Sequence, residues 1–292
     1  MMLAALLLTL QDPAAAPSAR DVQRAELRLD VARSGGAWKM HEWGHYFVLT
    51  DVRQQEFLDE LERQAFETRV TCSRLFPEAD GDPVRDDRKL AVLRVTRNRD
   101  EYSSYGGPGG SNGYWSPVAN EIVIHDDPKR EETWEALAGC IGYAFLDEHF
   151  GRSERAGWFE IGLAEYLSGS FRIRDEEGER FPGLEGRSAR LCTADTGRWP
   201  ALGEFLGVPR SDYYRHEEGG PDQRLIAWAW MRFLCDARLH GADFDPRWAK
   251  IPERYAVGWV ALKDESKARA FAFEGLDLAA LERAWRASLA VK

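Results

Sequence analysis

Two segments organise this chain. The first is Gly113-Tyr114-Trp115-Ser116-Pro117, which turns at Val118-Ala119-Asn120 into Glu121-Ile122-Val123-Ile124-His125. The second is Trp158-Phe159-Glu160-Ile161-Gly162-Leu163-Ala164-Glu165-Tyr166. The β-branched run at 121–125 predicts a strand. Beyond it the chain turns helical, with one helix expected over 131–149 and a second over 157–168. Toward the N-terminus, His45-Tyr46-Phe47-Val48-Leu49-Thr50 and residues 89–96 read as strands. Between them Asp51 can cap a helix over about 53–75, with Phe57, Leu58, Leu61, Ala65 and Phe66 on one face. Residues 21–37 read as a linker or short first strand, and 170–200 as irregular. Further helices are expected at about 222–239, 263–273 and 277–290. Strands come first and helices later, which indicates an α+β fold rather than alternating β/α units. The expected architecture is one domain over 21–292. A strand-rich part with a small mixed sheet (21–128) precedes a mainly helical part (129–292).

The composition sets limits on function. The chain has 292 residues, 44% of them hydrophobic and 30% charged, enough for a full core. Asp and Glu outnumber Lys and Arg by 49 to 39, which argues against coating a nucleic acid. No run approaches the roughly 20 apolar residues of a membrane-spanning helix. Residues 1–20 are read as lying outside the fold. Met1 to Leu10 resembles the apolar part of a secretory signal and is followed by the Pro/Ala stretch from Pro13. No positive charge precedes it, and Pro17 follows the small residues Ala14-Ala15-Ala16. Export is the expectation, with a frayed N-terminus and a cytoplasmic location as the alternative. Cys72, Cys140, Cys192 and Cys235 form no C-x-x-C pair and read as small apolar residues.

His41-Glu42-Trp43-Gly44-His45 matches the His-Glu-x-x-His signature of zinc peptidases. That motif needs a helix, where positions i and i+4 lie about 6 Å apart on one face. On a strand they are about 13 Å apart at roughly 3.3 Å per residue. Tyr46 to Thr50 follows at once and Gly35-Gly36 precedes closely, so the expected backbone is a strand. The glycine-rich stretch 103–113 lacks the Gly-Lys-Ser/Thr ending of a phosphate loop and reads as a flap or hairpin tip.

The layout at 113–168 resembles the gluzincin-type, thermolysin-like zinc metallopeptidases, in particular the peptidase family designated domain of unknown function 1570. There a G-[YF]-[YFW]-x-P turn and a strand lead into a helix bearing His-Glu-x-x-His. Trp-x-x-Glu-Gly-Leu-Ala-Glu-Tyr follows on a second helix. The resemblance implies a zinc held by the two histidines and the Glu before that Gly, with the Glu of the first motif as general base. More weakly, His45 to Asp51 resembles the family's early strand and Leu281-Glu282-Arg283-Ala284-Trp285 its final helix.

Carried over residue by residue, the second motif lands on Trp158 to Tyr166, with Ile161 at the ligand position. The best register puts the first motif on Ala138-Gly139-Cys140-Ile141-Gly142. Its two histidine positions are then Ala138 and Gly142 and its base position Gly139. A rival register, Trp134-Glu135-Ala136-Leu137-Ala138, keeps a Glu but neither histidine. No histidine occurs between 126 and 148, so the resemblance implies the scaffold without its zinc ligands. Glu165 corresponds to a carboxylate that supports a ligand histidine; with no ligand present it reads as a surface or buried hydrogen-bonding group. His149 is expected to cap the first helix as a cation.

Three functions follow. The favoured one is a catalytically inactive pseudopeptidase with no cofactor, binding an extended peptide or a protein. Its expected cleft, between an edge strand at 121–125 and the two helices, uses Ile122, Ile124, Tyr143, Trp158 and Glu160. The second is an active zinc peptidase using His41, Glu42 and His45. The third is another enzyme class that reuses Glu165, Tyr143 or Cys140.

Overall fold

The aromatic and β-branched runs of the first half gather into one sheet in the computed structural model, which describes residues 17–35, 37–77, 88–152, 154–175, 178–214, 221–241 and 243–289. The strand-rich part runs α1 (Ala19–Arg33), β1 (Lys39–Trp43), β2 (Tyr46–Thr50), α2 (Gln55–Leu75), β3 (Ala91–Thr96), α3 (Arg99–Ser104), β4 (Gly113–Ser116) and β5 (Glu121–His125). The helical part opens with α4 (Arg130–Phe150) and α5 (Gly157–Ser170). A small hairpin of β6 (Ile173–Asp175) and β7 (Gly178–Arg180) follows. Then come α6 (Pro182–Thr193), α7 (Leu202–Leu206), α8 (Gln223–Cys235), α9 (Ile251–Leu262), α10 (Glu265–Phe273) and α11 (Leu278–Ser288). The fold is thus a mixed α/β one, but not strands first and helices later: α1, α2 and α3 are interleaved with the strands of the first part, and β6 and β7 lie among the helices of the second. Of residues 1–20, expected as a signal or frayed segment outside the fold, 1–16 lie outside the described residues, whereas Ser18 caps α1 and Ala19 and Arg20 begin it. Among those described, no helix is long and apolar enough to cross a membrane.

The main sheet has the order β1-β2-β3-β5-β4. Its centre, β2-β3-β5, is parallel, and both outer strands are antiparallel to their neighbours. Central strands of this kind are covered on both faces and read as continuous apolar runs, as β2 does. Tyr46, Val48, Leu93, Val95, Ile122 and Ile124 join the main core beneath the helices. Phe47, Leu49, Leu90 and Val92 face the other way and pack with Leu27 and Val31 of α1.

Several expectations are corrected here. Residues 121–125 are not an edge strand: β5 is paired on both sides, and β4 is the edge. Residues 21–37 are neither linker nor strand but mostly helix α1, begun at Ala19 by the Ser18 side chain accepting from the Asp21 amide. The 170–200 stretch holds a hairpin and α6 rather than irregular chain. The strand expected at 41–45 is present, with β1 ending at Trp43 and a turn at Gly44-His45.

α4 and α5 are apolar nearly all round, as buried helices are. They cross at Gly139 and Gly142. A Cβ at 139 would lie 2.6 Å from Ser168 Oγ, and one at 142 would lie 2.8 Å from Leu167 Cδ1. The glycines cost about 1 kcal/mol each in helix propensity and allow this approach. The aromatic stripe of α8, Trp228, Trp230 and Phe233, is buried in the same core.

Candidate functional site

A cleft of about 410 Å³ opens above this crossing. Its floor is made of small residues: Ala136, Gly139 and Cys140 from α4, Ala164 and Ser168 from α5. One wall is the end of the glycine-rich loop and the start of β4, residues 110–113. Charged groups from the helices, Glu132, Glu135, Glu165 and Arg224, form the rest with Tyr143.

Polar contacts tie the edge strand to α4 at both ends. Asn112 Nδ2 donates to Glu132 Oε2 at 2.6 Å, and Trp115 Nε1 donates to Asp147 Oδ2 at 2.7 Å. Arg155, almost fully buried, holds Asp147 from behind at 3.1 Å. The Gly-Tyr-Trp-Ser-Pro turn therefore hangs the strand over the helix that floors the cleft.

Glu165 is 7% exposed, and both its oxygens are engaged. Arg187 Nη2, from α6, donates to Oε2 at 2.7 Å, and Arg224 Nε, from α8, donates to Oε1 at 2.6 Å. The same Arg187 nitrogen lies 2.7 Å from Glu135 Oε1. A chain of alternating charge, Glu135–Arg187–Glu165–Arg224, thus runs along the cleft, with Arg187 buried behind the two glutamates. The carboxylate of Glu165 has no lone pair to spare for a metal. No histidine lies on the cleft face of α4 or α5. Among the described residues no group of three or more His, Cys, Asp or Glu is disposed to hold a metal ion. The residues present do not fit the zinc that the resemblance implies, whose site needs several N, O or S donors converging at about 2.0–2.3 Å.

The expected site residues are only partly brought together. Of the positions assigned to the lost chemistry, Gly139 lines the cleft. Ala138 and Ile161 are buried in the core, and Gly142 lies within the helix crossing. Ile122, Ile124 and Trp158 are fully buried and do not face the cleft; Tyr143 does. Glu160 is buried, 3.3 Å from Arg210. His41 sits on strand β1, and the Glu42 carboxylate is held by Arg20 at 2.9 Å and Arg24 at 2.7 Å. The i, i+4 helical face required of His41 and His45 is therefore not formed. Cys140 is buried and its thiol pushed up to about 12 by desolvation, which makes it a poor nucleophile. His149, in the last turn of α4, has its Nε2 2.8 Å from Arg69 Nη2 and 3.9 Å from Glu148 Oε1.

Arg187, Arg224, Arg210 and Tyr214 were not foreseen. A buried Glu165 implied a cationic partner, but no spacing in the sequence says which one.

Burial pushes the Glu160 carboxyl above the usual range, against the opposing charge of Arg210. A folded-state pKa above the unfolded one stabilises the fold at low pH, and that contribution is lost as pH rises through the folded value. Glu160→Gln cannot ionise. Its melting temperature relative to the parent is therefore expected to rise between about pH 4 and about pH 7. A relative melting temperature that falls over that range would mean that the pairing with Arg210 outweighs desolvation.

No family model matches this chain, and no curated protein matches it.

Proposed function

We propose that the chain is a gluzincin-like scaffold that has lost its zinc chemistry and holds an extended polypeptide in the α4–α5 cleft without hydrolysing it. The observation that carries this reading is the pairing of a strand edge with the cleft. β4 ends the sheet, and its first residue borders a polar cavity floored by alanine, glycine, serine and a buried cysteine. An edge strand offers unpaired backbone groups to an added strand. The neighbouring side chains, among them the linked Glu135–Arg187–Glu165–Arg224 set, supply polar contacts.

The test uses a fluorescein-labelled random decapeptide pool and protein pre-equilibrated with zinc sulfate. Anisotropy is expected to rise saturably, mass spectra to show intact peptides, and metal analysis to find far less than one zinc per chain. One tightly held zinc per chain together with peptide cleavage would overturn the reading.

A further inference from the structure

Beyond Glu165, α5 buries a second carboxylate, Glu160, and the two hold matching partners. Arg210, on the single 3-10 turn Arg210–Tyr214, lies 3.3 Å from Glu160 Oε2. Arg224, in the first turn of α8, lies 2.6 Å from Glu165 Oε1. Both carboxylates are at least nine-tenths buried, whereas the guanidiniums keep 40% and 46% of their side chains open. Each arginine is thus held from behind and faces outward. The Tyr143 and Tyr214 hydroxyls are 3.2 Å apart. Tyr214 shares its 3-10 turn with Arg210. Tyr143 and Arg224 line the cleft, while Arg210 lines a second pocket beside Arg155 and Pro209, so the tyrosine pair bridges from the cleft to that pocket.

The chemistry of such a group is specific. Burying a carboxylate is costly and adds little net stability when it merely neutralises an arginine. What it does achieve is to fix the direction of a long, otherwise mobile side chain. Guanidiniums fixed in this way present planar N–H pairs suited to an oxyanion. Within the tyrosine pair only one O–H is consumed by the other hydroxyl, which leaves the second free to donate. Burial pushes the Tyr143 hydroxyl well above its ordinary pKa, so it stays a donor.

We propose that Arg210, Arg224, Tyr143 and Tyr214 form a carboxylate receptor between the cleft and that second pocket. It takes either the terminal carboxylate or an acidic side chain of the polypeptide lying along β4. In that form the inference rests on the polypeptide reading above.

Three labelled decapeptide pools separate the sources. One has a free C-terminus and no Asp or Glu, one is amidated and contains Asp and Glu, and one is amidated with neither. The carboxylate-free pool is expected to bind at least tenfold more weakly than one or both of the others. The better binder identifies the source. Arg210→Gln, at a half-exposed position, is expected to remove that preference while leaving the carboxylate-free pool unchanged, and the double variant Tyr143→Phe/Tyr214→Phe is expected to remove the preference as well. Equal binding by all three pools would overturn the receptor and leave the polypeptide reading standing. Should no pool bind, the polypeptide reading fails, and N-acetylglycine then tests the receptor alone. Saturable shifts of ring-labelled tyrosine NMR signals that vanish in Arg210→Gln would support it; unshifted signals would overturn it.

Discussion

Arg187→Met is expected to lower the unfolding free energy by about 3–5 kcal/mol. The Arg187 side chain is 6% exposed and bridges Glu135 and Glu165 through one nitrogen at 2.7 Å to each. Its remaining Nη donates to the Gly183 carbonyl at 3.3 Å. Methionine fills much of the volume but supplies no charge. Glu165 would then stay buried with Arg224 alone, whose side chain is half open to water. The loss comes from leaving a buried charge under-compensated, not from the intrinsic worth of the pair. Removing both charges should therefore cost less than removing one. The double variant Arg187→Met/Glu165→Leu is expected to recover at least half of the loss, since Arg224 can turn to solvent. Urea unfolding of the four members of the cycle reads this directly. A double variant as unstable as Arg187→Met would show that packing by the arginine stem, rather than charge, holds α6 to α5.

Trp158→Ala is expected to cost about 3–5 kcal/mol. The indole is fully buried. It stands edge-on to Tyr255 at 4.9 Å between ring centroids and to Phe273 at 6.0 Å. Tyr255 in turn accepts the Ala156 amide at 2.9 Å, just ahead of α5. This one side chain thus joins the entry of α5 to α9 and α10, and truncation opens a cavity that a close-packed core cannot collapse. Trp158→Phe keeps a ring against Tyr255 and is expected to retain most of the stability. Among the described residues the indole N–H makes no hydrogen bond, so the substitution breaks none there. Denaturant midpoints of the two variants check the contrast, and an equal loss in both would contradict it.

The sequence disclosed what its periodicity encodes. The runs at 45–50 and 121–125 are strands because their apolar residues are buried on both faces. The zinc-like motif at 41–45 is not helical: His41 to Trp43 end β1, Gly44-His45 turn, and the aromatic and β-branched run that follows pairs back on β1 as β2. α1 was missed because only Leu27 and Val31 of its apolar residues pack on the sheet, too thin a stripe to read. α6 was obscured by Pro182, Gly183 and Gly186. The position of β4 at the edge follows from the order of pairing, which strand pattern does not carry. The cleft was hardest to foresee. Glu135, Glu165, Arg187 and Arg224 come from four separate helices, and their meeting is set by the α4–α5 crossing and the docking of α6 and α8. The family-like motif lies on α4 and α5, and the positions it assigns to the lost chemistry, Ala138, Gly142 and Ile161, are packed inside.

Amide hydrogen exchange at β4, with and without saturating decapeptide pool, tests the central claim most directly. An added strand on the free edge must engage backbone groups of residues 113–116. Slowed exchange is therefore predicted there and not at β1, the opposite edge of the sheet. Unchanged exchange at 113–116, or protection at residues 39–43 instead, would contradict a polypeptide held in the cleft.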